Sequence, residues 1–157
     1  HTRFKCDWSS NVCSSDLTGA DNVVSWSTGY PFGVNLSRGY PRFNPGEYTT
    51  SDLLLRGEAD AAMIIASDPM SNFCQQARDH FVRIPTIVLD PKLSESAKVA
   101  TVAFTTATYG INVTGTAYRM DDVPIYLRPA FQSKYRSDYE ILKAIETRIR
   151  ERQLAAS

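Results

Sequence analysis

Three short apolar runs, separated by polar stretches of helical length, most constrain what this chain can fold into. They are Ala61–Ala66, Ile84–Leu89 and Val102–Phe104. Runs that are apolar at consecutive positions are typical of strands buried on both faces in a parallel sheet, although periodicity alone does not exclude a short buried helix. Because strand and helix patterns alternate, we expect right-handed crossovers and a parallel sheet.

An Asp-Pro pair follows each of the first two runs. Asp68-Pro69 places a capping side chain and a residue of fixed φ at the start of a helix predicted to reach about Phe81. Asp90-Pro91 precedes a second predicted helix around Ser94 to Val99. Both pairs should lie at the carboxyl edge of the sheet, where open α/β sheets bind ligands and helix N-termini meet anions. Asp68 and Asp90 are therefore candidate ligand-binding residues, and the alternative is that each only caps its helix.

The flanking segments complete the predicted architecture. We expect a short strand at Asn22–Trp26 and a helix at Thr49–Arg56, capped by Thr49 or Thr50 and followed by Gly57 at the C′ position. Ala117 to Leu127 is predicted to be extended and interrupted by a turn. Ser137 to Glu140 has capping-box spacing and begins a last helix with one apolar face.

A segment rich in glycine, proline and aromatic residues, Gly29 to Glu47, precedes the first apolar run. We predict neither helix nor strand there, and its aromatic content favours an ordered loop over a solvated linker. The loop lies over a ligand or, alternatively, is a rigid connection that caps the core. It carries Arg38 and Arg42, and guanidinium groups held among aromatic rings suit a phosphate, carboxylate or oxyanion. The alternative for these two residues is a surface position or a pair with Glu47.

The first 17 residues are set aside as a non-native leader that we expect to be disordered. The run from Asp7 to Leu17 looks like the translation of a sequencing adapter, whose familiar peptide has Asp where this chain has Asn11. Removing the leader leaves Cys74 as the one cysteine and His80 as the one histidine. A disulfide within the remaining chain is thereby excluded, a reducing, cytoplasmic compartment is expected, and no zinc or iron–sulfur site can form from these residues alone.

The charge balance argues against two classes of partner. Lysine and arginine together number 17, aspartate and glutamate also number 17, and the formal net charge is zero. A neutral chain offers no long-range field for nucleic acid or an anionic membrane surface, and no apolar run is long enough to span a bilayer.

Cys74 and His80 are interpreted as a core thiol and a helix-end cap.

Several motifs together carry a family likeness. Their order resembles the third domain of molybdopterin oxidoreductases, a Rossmann-like unit that holds part of a pterin guanine dinucleotide; the segments are Leu55–Ala62, Ala66–Pro69, Val88–Pro91, Ser94–Ala97 and Gly115–Asp121. Within that superfamily, the chain resembles the B subunit of formylmethanofuran dehydrogenase through the longer motifs Thr28–Phe32, Arg38–Glu47 and Gly115–Ile125. The likeness covers nearly all of residues 18–157.

The resemblance implies a fold and an activity. The fold is a Rossmann-like three-layer α/β domain with a mostly parallel sheet, followed by an extended or hairpin segment and a C-terminal amphipathic helix. The chain would be the C-terminal part of a subunit that carries molybdopterin guanine dinucleotide with tungsten or molybdenum, for CO2/formate interconversion. The metal ligand and an iron–sulfur cluster would lie upstream, so we expect no metal ligand in this chain and no activity from it alone. Other subunits of the complex are the expected partners.

The resemblance also assigns roles to residues at the two candidate places. Arg42 would face the substrate side of the metal. The dinucleotide edge would be formed by Ser67, Asp68, Asp90 and Ser94, and Arg38 would also contact the cofactor.

Two alternatives remain open on the residues alone. A similar subunit in methylotrophs belongs to a formyltransferase/hydrolase complex that releases formate hydrolytically and is thought to have lost the redox cofactor. A third interpretation is a cofactor-free scaffold that only binds neighbouring subunits.

Overall fold

The computed structural model of the 157-residue chain describes residues 18–119, 121 and 123–156. The leader predicted from the adapter-like sequence lies outside these residues. Six helices and seven strands follow one another within them, in the chain order α1, β1, β2, α2, β3, α3, α4, β4, α5, β5, β6, β7 and α6. The helices are α1 (Thr18–Thr28), α2 (Thr50–Leu55), α3 (Pro69–Asn72), α4 (Gln75–Arg83), α5 (Glu95–Val99) and α6 (Asp138–Ala156). The strands are β1 (Val34–Asn35), β2 (Arg42–Phe43), β3 (Ala62–Ile65), β4 (Thr86–Asp90), β5 (Val102–Thr105), β6 (Gly115–Tyr118) and β7 (Pro124–Leu127).

The three apolar runs form a three-stranded parallel sheet, as predicted. The strand order is β3-β4-β5, with Ala62 opposite Thr86 and Ile87 opposite Val102. Two successive crossovers that run in one direction place their helices on the same face of the sheet. An α/β fold with a parallel sheet, antiparallel hairpins and a C-terminal helix is thus confirmed.

The core lies between that face and the helices. Leu54 of α2, Ala77 and Phe81 of α4, Ile64 of β3 and Val88 of β4 form one buried cluster. Fully burying side chains of this size contributes about 1.5–3 kcal/mol each. This cluster fixes the sheet against α2 and α4, and thereby positions the carboxyl ends of the strands.

Helix α2 begins and ends as its sequence predicts. The Thr49 side chain accepts the N–H of Asp52, and the Asp52 carboxylate accepts the N–H of Thr49, which is a capping box. At the other end, Gly57 has φ of 68°. Its N–H and that of Glu58 return to the carbonyls of Leu54 and Leu53, the two bonds of a Schellman motif.

Two predicted elements were wrong. Asn22–Trp26, predicted as a strand, lies inside α1, where Gly29 donates its N–H to the carbonyl of Ser25 four residues earlier. The β-branched residues there favoured a strand, but helical pairing and contact with β6 outweigh this local preference. The helix predicted from Pro69 to Phe81 is broken, because Phe73 and Cys74 adopt extended backbone conformations and pack against the core between α3 and α4.

The loop from Gly29 to Glu47 also differs from its prediction. It contains a short antiparallel ladder in which Val34 pairs with Phe43 and Asn35 pairs with Arg42. The segment after β5 forms the β6–β7 hairpin, with Ala117 opposite Ile125. None of the helices in the described ranges combines the length and the apolar character needed to cross a bilayer.

Candidate functional site

The carboxyl edge of the parallel sheet gathers four of the residues predicted to contact a ligand. Ser67 and Asp68 follow β3, Asp90 ends β4, and Ser94 stands at the N-cap of α5. The contacts between α3 and α5 bring the ends of the first two strands together. The two Asp-Pro corners therefore share one edge, as expected for parallel strands.

Asp68 acts as a cap, but for a helix other than its own. It makes no capping bond to the backbone of α3. One carboxylate oxygen accepts the N–H of Ser96 at 2.9 Å and its hydroxyl at 2.6 Å. The other accepts the N–H of Glu95 at 3.3 Å and the hydroxyl of Ser71 at 2.5 Å. The carboxylate thus fills the N-terminal turn of α5, where a ligand anion would otherwise be favoured.

These contacts set the protonation of Asp68. Burial by itself raises the pKa of the carboxyl, but the hydrogen bonds from Ser71, Ser96 and Glu95 together outweigh it. The net result is a pKa below the ordinary aspartate value. Asp68 is therefore a carboxylate at neutral pH, and its charge is stabilised by donors of the chain itself.

Asp90 and Ser94 are buried and engaged locally. Asp90 is 4% exposed, and one of its carboxylate oxygens accepts the N–H of Lys92 at 3.0 Å. Ser94 is 5% exposed and accepts the N–H of Ala97 at 3.3 Å, as an N-cap does. Ser94 is thus the N-cap of α5, whereas Asp90 bonds the backbone ahead of that helix, so the alternative that Asp90 caps its helix is wrong. A ligand contact for either side chain stays a prediction.

Ser67 differs from its neighbours, because its side chain is exposed and has no hydrogen-bond partner within the described ranges. It follows Ala66, whose φ of 50° makes it the one described residue other than glycine with positive φ. A left-handed conformation costs about 1–2 kcal/mol for a residue with a Cβ atom. Ser67 thus keeps free hydrogen-bonding capacity next to a strained residue, and its contact with a ligand stays a prediction.

Arg42 is held by neutral partners in the loop. Its guanidinium donates to the hydroxyl of Tyr48 at 2.9 Å, the amide oxygen of Asn35 at 2.9 Å and the hydroxyl of Ser37 at 3.1 Å. The guanidinium carbon lies 5.0 Å from the centre of the Tyr48 ring. The Nε atom is buried without a partner among the described residues. No carboxylate among the described residues contacts Arg42. Its positive charge is therefore stabilised by the dipoles of the neutral Tyr48, Asn35 and Ser37 groups and by the face of the Tyr48 ring.

The pairing of Arg42 with Glu47, one alternative from the sequence, is not observed. Glu47 instead accepts the side-chain amide of Asn44 at 2.7 Å. The carbonyl of Glu47 accepts the guanidinium of Arg56 at 2.5 Å, which anchors the end of the loop to the residue that follows α2. Arg38 is exposed and has no hydrogen bond or ion pair within the described ranges.

An aromatic cluster orders the same loop. The Tyr30 and Phe43 rings stack with centroids 5.1 Å apart, and Phe32 meets Phe43 edge to face at 5.7 Å. Stacked and edge-to-face pairs contribute about 0.5–1.5 kcal/mol beyond area burial. The expected ordered loop is therefore observed, and Phe43, the neighbour of Arg42 in β2, belongs to this cluster.

No hydrogen bond or ion pair among the described residues joins the loop arginines to the four residues at the sheet edge. The structure thus presents two candidate places: the sheet edge with Ser67, and the loop with Arg42. In the described ranges, no three His, Cys, Asp or Glu residues lie close enough together to hold a metal ion. Cys74 packs partly buried against the core, and His80 bonds the carbonyl of Ala59 at 2.8 Å.

Two curated proteins are similar to this chain at the sequence level. Both are the B subunit of a tungsten-containing formylmethanofuran dehydrogenase 2. The one from Methanocaldococcus jannaschii is 46% identical over 138 residues, which are 87% of this chain and 32% of that protein. The one from Methanococcus maripaludis is 41% identical over 138 residues, with the same two shares. Over these residues, the chain is homologous to the B subunit of formylmethanofuran dehydrogenase. It spans about a third of the length of these relatives.

A solved structure agrees with this relationship at the level of fold. The formyltransferase/hydrolase complex of Methylorubrum extorquens, solved with methylofuran, contains a chain that superposes with a TM-score of 0.68 at 24% identity. The match covers 87% of this chain and 38% of that chain. No family model matches the sequence.

Sequence reasoning missed the partners of the two best-placed charged groups. Ser96, fully buried, binds Asp68 across 28 positions of sequence, and no local pattern marks such a contact. Asn35 and Ser37 bind the guanidinium of Arg42, and in this case the sequence contains a local pattern that predicts their arrangement. Asn35 accepts the N–H of Ser37 at 2.9 Å, an Asx turn that the sequence Asn-Leu-Ser favours.

Proposed function

We propose that this chain is the C-terminal part of the B subunit of a formylmethanofuran dehydrogenase, the subunit that carries the tungsten or molybdenum bis-pterin centre for CO2/formate interconversion. The observation that carries the proposal is the 46% identity over 138 residues to a tungsten-containing relative. The intact protein would work with the other subunits of a formylmethanofuran dehydrogenase complex. The relatives are named as subunits, which supports this assignment.

The residues predicted to contact the cofactor, at the sheet edge and in the loop, fit a pterin guanine dinucleotide in part. Ser67 and Arg38 are exposed and have hydrogen-bonding capacity to spare within the described ranges. Asp68, Asp90 and Ser94 already accept backbone donors of the chain. We therefore expect Ser67 to bond a nucleotide oxygen or amine and Arg38 to bind a phosphate. Asp90 and Ser94 would contact the nucleotide through their remaining lone pairs. Asp68, whose two oxygens already accept four hydrogen bonds, would hold the edge in shape.

Arg42 is proposed to face the substrate side. Carbon dioxide becomes the anion formate when reduced, and a guanidinium without a carboxylate partner stabilises such an anion. The cofactor, when bound, supplies the electron transfer. Arg42 would orient the carboxylate oxygens, and the aromatic cluster of Tyr30, Phe32 and Phe43 would order the loop that carries it.

The test is the tungsten, molybdenum and pterin content of the complex purified with the native, full-length subunit. Near-stoichiometric metal with pterin, together with formate-dependent dye reduction, is the expected result. The 157-residue chain alone should reduce no dye. A complex without metal and pterin that still releases formate hydrolytically would reject the redox proposal in favour of the formyltransferase/hydrolase type.

A further inference from the structure

A groove lies beside the carboxyl end of β5, between this strand and the first half of α6. Its volume is about 490 Å³, and pockets that bind small ligands have volumes of about 300–1,000 Å³. Phe104 and Thr105 line it on the strand side, Ile141 and Ile145 line it on the helix side, and residues 134–136 also line it. The groove therefore has the size of a small-molecule site.

This groove belongs to the same edge of the sheet as the candidate residues that follow β3 and β4. Thr105 is opposite Asp90 in the ladder, and the N–H of Thr106 bonds the Asp90 carbonyl at 3.2 Å. Ser67 lies two residues beyond the end of β3. Since neighbouring strands lie about 4.8 Å apart, the ends of β3 and β5 are separated by about 10 Å. A single extended ligand can therefore contact both Ser67 and the groove.

The charged lining of the groove is cationic. Three charged residues line it, and all are cations: Lys134, Arg136 and Arg148. No acidic residue among the described residues lines it. Arg148 is paired with Glu151, whereas neither Lys134 nor Arg136 has an ion pair within the described ranges. The groove thus offers two uncompensated positive charges to an anion.

One acidic side chain outside the groove, Glu140, attracts Arg136. The pKa of Glu140 is lowered, first by hydrogen bonds from the N–H and hydroxyl of Ser137 at 2.8 and 2.9 Å and to a smaller degree by the charge of Arg136. The guanidinium of Arg136 makes no hydrogen bond to Glu140 or to any other described residue. The Arg136 carbonyl accepts the N–H of Ala107 at 2.8 Å, which ties residue 136 to the segment after β5. Arg136 is therefore fixed in place through its backbone and keeps its side-chain donors for a ligand.

A free hydroxyl and two aromatic rings complete the lining. Thr105 is exposed, and its hydroxyl has no partner within the described ranges. Phe104 and Tyr135 are partly exposed, and Nζ of Lys134 lies 5.1 Å from the centre of the Tyr135 ring. A hydroxyl, a guanidinium and an ammonium group suit the several oxygens of a phosphate. Aromatic side chains bind flat heterocycles by stacking.

We propose that this groove binds the phosphate-bearing end of a flat heteroaromatic ligand through Thr105, Lys134 and Arg136. Two sources share this chemistry, a free nucleotide and the dinucleotide of the proposed function, and only the second source rests on that function. An acidic peptide would use the cations but not the ring faces of Phe104 and Tyr135. The combined lining therefore favours a nucleotide phosphate over a peptide carboxylate.

The test is an amide NMR titration of the 157-residue chain with guanosine monophosphate, and with guanosine and inorganic phosphate as partial ligands. We expect the nucleotide to bind about tenfold or more tightly than either partial ligand, with shifts at Thr105 and Tyr135. Arg136→Gln should weaken nucleotide binding by about tenfold or more and leave guanosine within about twofold. The matched control, Arg83→Gln on the exposed surface of α4, should change neither. Thr105→Val should weaken nucleotide binding about threefold, whereas Thr116→Val on exposed β6 should not.

Phenylglyoxal labelling of Arg136, resolved by peptide mass spectrometry, distinguishes the two sources in the intact complex. If the dinucleotide fills the groove, Arg136 should label about tenfold more slowly in the cofactor-loaded complex than in the stripped one. If a free nucleotide is the ligand, added guanosine monophosphate should protect Arg136 in both. Protection by neither overturns the proposal. So does nucleotide binding that is no tighter than that of phosphate, that survives Arg136→Gln, or that is weaker than binding of hexaglutamate. No readout uses metal content or turnover, so a failure of the redox proposal stays distinguishable.

Discussion

The carboxylate of Asp68 accepts both the N–H and the hydroxyl of Ser96, at 2.9 and 2.6 Å, and so joins the end of β3 to the first turn of α5. The helix dipole would favour a ligand anion at the N-terminal turn of α5, but the Asp68 carboxylate already occupies that position. The sheet edge consequently offers a ligand its Ser67 hydroxyl rather than this helix N-terminus.

Asp68→Asn should lower the free energy of unfolding by about 1–3 kcal/mol at pH 7, since the amide has one acceptor oxygen where the carboxylate has two, and its NH₂ group faces some of the four donors. The folded-state pKa of Asp68 is lowered. Its charge therefore stabilises the fold fully above the unfolded pKa of about 3.9 and ceases to do so as pH falls through the folded pKa. The difference from wild type, measured by urea titration, should shrink as the pH falls below about 4. Asp60→Asn, an exposed control, should stay within about 0.5 kcal/mol, and a pH-independent Asp68 deficit would contradict the linkage.

Ala66→Gly should leave stability unchanged or raise it by up to about 1 kcal/mol, because glycine adopts the positive φ of 50° without strain. The hydrogen bond from the Ala66 N–H to the Leu89 carbonyl, 2.8 Å long, is kept. Ala62→Gly, in the preceding strand β3, should instead cost about 0.5–1 kcal/mol. Thermal unfolding of both variants is the measurement, and equal losses would refute the strain at Ala66.

Gly115→Ala should destabilise the β6–β7 hairpin by about 1–3 kcal/mol, since an added Cβ would lie 2.8 Å from the Tyr109 ring. The matched control is Gly19→Ala in α1, where an added Cβ meets no described residue within 4 Å and stability should rise by up to about 1 kcal/mol. In a Tyr109→Ala background the cost of Gly115→Ala should vanish. Persistence of the cost there would show that the clash is not its cause.

Thr49→Ala should cost about 1 kcal/mol through loss of the N-cap of α2. Thr50→Ala removes the neighbouring exposed threonine, which makes no capping bond, and should change stability by less than about 0.5 kcal/mol. The denaturant midpoints of the two variants measure the contribution of the N-cap. Equal effects would mean that the capping box contributes nothing measurable.

Arg42→Lys in the intact complex should lower kcat/KM for formate by about tenfold or more. A lysine keeps the charge but cannot reach Tyr48, Asn35 and Ser37 at once, so the cation loses its fixed position. A role in binding the anion predicts that the loss falls on KM. Arg83→Lys, on the exposed surface of α4, should leave both constants unchanged. Unaltered kinetics in Arg42→Lys would remove this residue from the substrate side.

The parallel sheet could be predicted from the sequence because its strands are short, apolar and separated by helical spacers. The α2 boundaries were predictable for a similar reason: Thr49 and Gly57 act through bonds to residues only a few positions away. Contacts between residues a few positions apart can be predicted from a single sequence.

The features that the sequence did not predict depend on contacts with residues far away in the chain. The α1 helix was missed because its β-branched residues have a weak strand preference that helical pairing and contact with β6 override. The α3–α4 break follows from packing of Phe73 and Cys74 on the core, not from a glycine or an inner proline. The role of Asp68 depends on Ser96, and only the folded chain brings the two together.

The order of the strands also has a kinetic consequence. Each strand of the parallel sheet pairs with its immediate successor in sequence, so each pairing closes a single crossover, and the entropic penalty of closing it grows only slowly with its length. The sheet and the helices of its core face can therefore assemble while a ribosome is still extending the polypeptide beyond them.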